Sequence, residues 1–232
     1  CEDVSAGVNK PAYSIVEVLL DGSQKIRPLV VSRNGDMFMS LALSPDGSQL
    51  AFISWSPPAM PWRSSRLMVA DIREDGGIIT LWRRAGVSGE SIAQPIWWGQ
   101  NLAYIGDQSG YWNPWFINDH KEPEQLVDIA CDFTQPQWHF GLSHWVSVGD
   151  AFICSFLQNG IWKLAERQFA GGDMREFDLP FTEIRGVRAD EDTIYFVGAS
   201  PTMPAVLVAL DRKPGEWSAI RRSTEAEVDF DF

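Results

Sequence analysis

Cysteine, histidine and positive charge are all scarce in this sequence, and each shortage closes off a class of function. The 3 cysteines among 232 residues, Cys1, Cys131 and Cys154, lie far apart with no paired spacing. That pattern argues against a disulfide framework or a cysteine zinc site and suits a reducing compartment, so no metal, no cofactor and a cytoplasmic setting are expected. Lys and Arg number 19 against 31 Asp and Glu, a formal net charge of -12. Nucleic-acid grooves and anionic membrane surfaces need clustered Lys and Arg, so neither is an expected partner. No apolar run approaches the ~18 residues that a membrane-spanning helix requires. The opening residues, CEDVSAGVNK, lack the basic-then-apolar order of a signal peptide. Residue 1 is Cys rather than Met, which points to a chain processed, trimmed or taken from inside a longer reading frame.

Catalytic motifs are also missing. No G-x-S-x-G occurs; Gly141-Leu142-Ser143-His144-Trp145 comes nearest, but it lacks the second Gly and reads as a strand. On a strand, His139 and His144 point to opposite faces and cannot share a metal, and His120 sits in a charged loop. Glu225, Glu227, Asp229 and Asp231 alternate along one strand face, which reads as solvated rather than as a calcium site. Asp190-Glu191-Asp192 reads as a turn, and no Gly-rich loop enters a helix. No catalytic residue is expected.

What is present is aromatic and turn-rich: 11 Trp, 13 Phe, 19 Gly and 14 Pro, with 45% hydrophobic residues to build a core. Short aromatic strands separated by Gly and Pro turns indicate an all-β fold. In Leu41 to Phe52, the turn Ser44-Pro45-Asp46-Gly47 joins two apolar runs, because Pro presets φ and Gly accepts positive φ. Apolar strands recur as Leu50-Ala51-Phe52-Ile53, Leu102-Ala103-Tyr104-Ile105, Ala151-Phe152-Ile153-Cys154 and Thr193-Ile194-Tyr195-Phe196. The spacing of roughly 42 to 54 residues brackets one four-stranded blade of a β-propeller. A second repeat, Gln94-Pro95-Ile96-Trp97 and Gln135-Pro136-Gln137-Trp138, supports the same reading. The expected fold is a β-propeller of four-stranded antiparallel blades, full at about 37–86, 88–130, 132–179 and 181–223, with a partial blade at about 1–34. The alternating tail Val228 to Phe232 either supplies the missing inner strand and closes a five-bladed ring, or the ring is cut open.

In such blades the loops between second and third strands emerge beside the loops between blades. That face collects Trp55 to Trp62 with Met60, Tyr111 and Trp112, Met203, Phe133 and Phe181, whereas the opposite loops are small and charged. An aromatic face on a soluble domain suits a docking surface. Trp55 and Trp62 either stand at that surface or fold back to anchor their Pro-rich loop.

The run SPDGSQLAFISWSPPAMPW, a strand ending in VADI, then GESIAQPIWW and LPFTEIRGVRAD resemble the N-terminal β-propeller of the prolyl oligopeptidase family, especially dipeptidyl-peptidase and acylaminoacyl-peptidase-like members. The matching residues are Trp55, Pro58, Met60, Pro61 and Trp62, with Glu90, Ser91 and Gln94. In that family the propeller caps an α/β-hydrolase domain carrying a Ser-Asp-His triad. The resemblance therefore implies a non-catalytic gating or docking role, through Trp55, Met60, Trp62 and Glu90 of the matching segments, to which the aromatic face adds Tyr111 and Trp112. The implied partner is an α/β-hydrolase domain or peptide substrate of a longer parent, or a second copy met through open blade edges. No position matches the triad motif, earlier blades are missing and the chain ends at Phe232, so peptidase activity does not carry over. The competing expectation is a stand-alone propeller that binds a protein or small ligand.

Overall fold

The computed structural model describes residues 1–5, 11–23, 25–32, 34–73, 76–87, 89–118 and 120–224. Among them every regular element is a strand, so no helix is long and apolar enough to cross a membrane. The first sheet holds β1 (Glu2–Asp3), β2 (Ala12–Val18) and β3 (Ile26–Val31). The second holds β4 (Met37–Leu43), β5 (Gln49–Trp55), β6 (Arg66–Ile72) and β7 (Ile78–Ala85). The third holds β8 (Ile92–Trp98), β9 (Asn101–Gly106), β10 (Asn113–Ile117) and β11 (Pro123–Gln125). The fourth holds β12 (Trp145–Val148), β13 (Ala151–Gln158), β14 (Ile161–Gln168) and β15 (Arg175–Glu176), and the fifth β16 (Glu183–Ala189), β17 (Thr193–Ser200), β18 (Met203–Asp211) and β19 (Trp217–Arg222). Each sheet is a meander in sequence order, so this is an all-β fold of propeller blades, four full and one three-stranded. The expected closing strand, Val228 to Phe232, lies outside the described residues.

The chain divides into two compact units. The first comprises 1–108, 115–124 and 136–140, and the second 109–114, 125–135 and 141–232. In the first, alternate residues of β5 serve two cores, as the period of 2 along a strand requires. Ala51, Ile53 and Trp55 enter one with Leu67, Trp97 and Tyr104; Leu50 and Phe52 enter the other with Ile15, Val30 and Ala70. The second unit has its own core, in which Phe181 meets Phe196 and Trp217 edge-on at centroid distances of 5.6 and 5.0 Å.

A repeated irregularity marks the inner strands. In β4, Ser40 and Leu41 lie between the pairs Met39–Ile53 and Ala42–Ala51, and so face the single residue Phe52. In β8, Gln94 and Pro95 face Tyr104; in β16, Gly186 and Val187 face Phe196. The first bulge residue has positive φ each time, at 52° for Ser40, 34° for Gln94 and 69° for Gly186, and each opposed aromatic is fully buried. Such two-against-one bulges bend a strand and re-aim its side chains. In the fourth sheet Asp132 bridges Leu157 and Trp145 pairs with Cys154, so the ladder is interrupted opposite Ser155 and Phe156.

Three sequence expectations change accordingly. Phe156, not Ile153, is the counterpart of Phe52 and Tyr104, because the β12–β13 hairpin is longer at its turn end. Gln135-Pro136-Gln137-Trp138 forms no strand, unlike Gln94 to Trp97. Ser143 and His144 precede β12 rather than lying in a strand. Ser143 Oγ donates to Val187 O at 2.7 Å, and His144 stacks on Trp162 at 4.8 Å.

Candidate functional site

The loop that leaves β5 at Trp55 carries its anchors and its exposed groups on different residues. Trp55 is the last residue of β5 and shares the face of Ala51 and Ile53, which leaves it 6% exposed inside the core. It supports the loop from below, so the fold-back arrangement holds for this ring. Pro61 is also buried, Trp62 is half-buried, and Met60 is 45% exposed. The turn that presents Met60 is closed by Arg63 and Ser64, whose N–H groups donate to Met60 O at 2.9 and 3.1 Å.

A second segment, 86–92, is stitched to this loop. Ser91 Oγ donates to Pro61 O at 2.8 Å, Ser65 N–H donates to Glu90 O at 2.9 Å, and Ile92 N–H donates to Ser65 Oγ at 2.7 Å. Gly86 makes the close approach: at φ +86° its Cβ position would lie 2.2 Å from Ser65 O, so no other residue fits. The structure thus brings Met60, Trp62 and Glu90 onto one surface of the first unit. Glu90 turns its carboxylate back to accept from Val87 N–H at 2.9 Å.

Beneath them lies Asp107, which no sequence motif singles out. Its Oδ1 accepts from Ser91 N–H at 2.7 Å. Burial pushes the Asp107 carboxyl above the ordinary value; the Ser91 N–H pulls against that rise, and the nearby Glu90 charge adds to it. Tyr104 is raised as well, chiefly by burial, while Gln108 Nε2 donates to its hydroxyl at 3.2 Å.

Tyr111 and Trp112 belong to the second unit. Trp112 N–H donates to Asp132 Oδ1 at 3.0 Å, and Trp112 O accepts from Phe133 N–H at 2.8 Å. Asn113 is the hidden fastener. Fully buried, it donates from Nδ2 to Ile129 O and Cys131 O at 3.1 Å each and accepts from Ile129 N–H at 3.0 Å. These bonds hold Tyr111, 44% exposed, and the half-buried Trp112 at the surface. The only signal for Asn113 and Asp107 was their polarity at the ends of apolar strands, which is common to ordinary turns.

Among the described residues no three His, Cys, Asp or Glu converge to hold a metal. On this surface Met60 and Trp62 offer apolar contact and Glu90 a carboxylate.

No protein-family model matches this sequence, and no curated protein sequence matches it. Solved structures do. A puromycin-hydrolyzing peptidase of Mycobacterium tuberculosis is similar at 27% identity and a TM-score of 0.86, over 93% of this chain and 34% of that one. Puromycin hydrolase is similar at 25% identity and a TM-score of 0.80, over 89% and 32%. Prolyl oligopeptidase B from Galerina marginata, at 13% identity and a TM-score of 0.68 over 96% and 32%, shares the fold. The chain spans about a third of the length of these structures.

Proposed function

From a chain whose likeness is to the propeller part of prolyl oligopeptidase and puromycin hydrolase-type peptidases, we propose a non-catalytic propeller that gates or docks substrate for such a hydrolase. The observation that carries this reading is the match at 27% identity over 93% of the chain, confined to 34% of the peptidase. The docking surface in the first unit is that of Met60, Trp62 and Glu90, and the second unit presents Tyr111 and Trp112 as contacts of its own. Its partner is an α/β-hydrolase domain or the peptide being processed. Glu90 suits an amino terminus, and Met60 and Trp62 suit an apolar residue next to it.

The test has two parts. The purified chain is expected to leave peptide and aminoacyl-amide substrates intact and to remain unlabelled by a serine-reactive phosphonate. The reading frame that encodes it is expected to encode an α/β-hydrolase with G-x-S-x-G as well. Turnover or labelling by the purified chain overturns the non-catalytic assignment, and a reading frame without a hydrolase overturns the gating role.

A further inference from the structure

The first unit contains a cleft whose lining includes none of Met60, Trp62 and Glu90, and it does not depend on the reading given to that surface. It opens between β3 of the three-stranded sheet and the second sheet, with a volume of about 760 Å³. Register places its floor. Phe52 pairs with Met68, and Met68 pairs with Arg83, so these three share the face turned toward β3. Apolar side chains stand uncovered along the walls: Val31 is 57% exposed, Ile79 56% and Leu81 44%.

The two arginines at one end differ. Arg66 is matched, with Nη2 at 3.0 Å from Asp36 Oδ1 and 2.7 Å from Ser56 Oγ. The Arg83 side chain forms no hydrogen bond or ion pair among the described residues, and it lines both this cleft and an adjoining one of about 220 Å³. In a chain of net charge -12, an exposed arginine with no acidic partner at the end of an apolar cleft is a ready site for one carboxylate. Ser32, Ser54 and Thr80 place polar groups along the same walls. Moreover, among the described residues β3 and β7 are outer strands with one ladder side open. Amide-bearing ligands use such groups, whereas a plain hydrocarbon chain does not.

We propose that this cleft binds a short, extended apolar peptide through its free C-terminal carboxylate, with Arg83 as the carboxylate receptor. Its volume falls in the range of ~300–1,000 Å³ typical of small-ligand sites.

Calorimetric titration with N-acetyl-Leu-Phe, as the free acid and as the C-terminal amide, tests the assignment. The free acid is expected to bind about 5-fold more tightly, the scale of one exposed ion pair. Arg83→Gln, an exposed change checked by thermal melting, is expected to make acid and amide equal. Leu81→Glu is expected to weaken both at least ~10-fold. Equal binding of acid and amide to the unaltered chain, an unchanged preference in Arg83→Gln, or no binding of either at millimolar concentration overturns the proposal. Decanoate binding more tightly than the peptide overturns the choice of a peptide.

Discussion

Gln94-Pro95-Ile96-Trp97 and Gln135-Pro136-Gln137-Trp138 differ at one position, yet one lies in a strand and the other does not. In the first, Gln94 and Pro95 form a two-residue bulge, Ile96 rejoins the ladder opposite Ala103, and Trp97 is 8% exposed with its indole donating to Ala42 O at 3.0 Å. In the second, Gln137 replaces the isoleucine. It is 5% exposed and donates to Ile92 O at 2.7 Å, while Trp138 and Phe140 are 67% and 71% exposed. The motif supplies a bulge; its C-terminal neighbours decide whether the ladder resumes. After Trp97 comes a tight turn into β9, whereas after Trp138 come His139, Phe140 and Gly141, and pairing resumes only at Trp145.

If this contrast is right, the two tryptophans respond oppositely to truncation. Trp97→Ala removes a buried ring and a hydrogen bond and is expected to cost about 3–5 kcal/mol in denaturant unfolding. Trp138→Ala is expected to stay within ~0.5 kcal/mol in the same measurement, because its ring is already in water. Equal losses at the two sites would break the comparison.

The end of the excursion gives the next effect. His144 lies beside Ser155 Oγ at 3.1 Å, and burial lowers its pKa from 6.5 to about 4. A histidine whose folded pKa is depressed leaves the folded state with fewer bound protons. Its contribution is therefore complete above ~6.5 and is lost as the pH falls toward 4, by on the order of a few kcal/mol. His144→Phe, which keeps a ring against Trp162, is expected to flatten the stability profile between those pH values. A profile of unchanged slope would show that His144 is not held neutral.

Gln137→Leu keeps the volume and removes one of two donors to Ile92 O, which still accepts from Ser65 Oγ at 3.2 Å, and is expected to cost up to about 1.5 kcal/mol by chemical unfolding. Smallest are the bulges: Gly186→Ala at φ 69° is expected to cost about 1 kcal/mol, and Ser40→Gly at φ 52° to gain a few tenths. If both changes destabilise, something other than backbone strain governs those positions.

The parts legible in the sequence were those fixed within a few residues. At Ser44-Pro45-Asp46-Gly47, Gly47 has φ 73°, and Asp46 accepts from Ser44 Oγ at 2.7 Å and from Ser48 N–H at 3.1 Å. Those bonds, Ser44 first, hold the Asp46 carboxyl down to about 2. The strands Ala12–Val18 and Ile26–Val31 fall within the partial blade expected at about 1–34. The candidate surface was less legible. Trp55 and Trp62 carry the same side chain at the two ends of one loop, and only strand parity sends Trp55 into the core.

By itself the sequence determined an all-β chain of repeated four-stranded meanders, because turn chemistry and period-2 alternation act over a handful of neighbours. Tertiary structure decided which copy of Gln-Pro-x-Trp becomes a strand, which loop tryptophan is buried and which arginine is left without an acid. Those outcomes depend on groups far apart in the chain, such as Trp97 with Ala42 and Gln137 with Ile92, and no local pattern specifies such pairings.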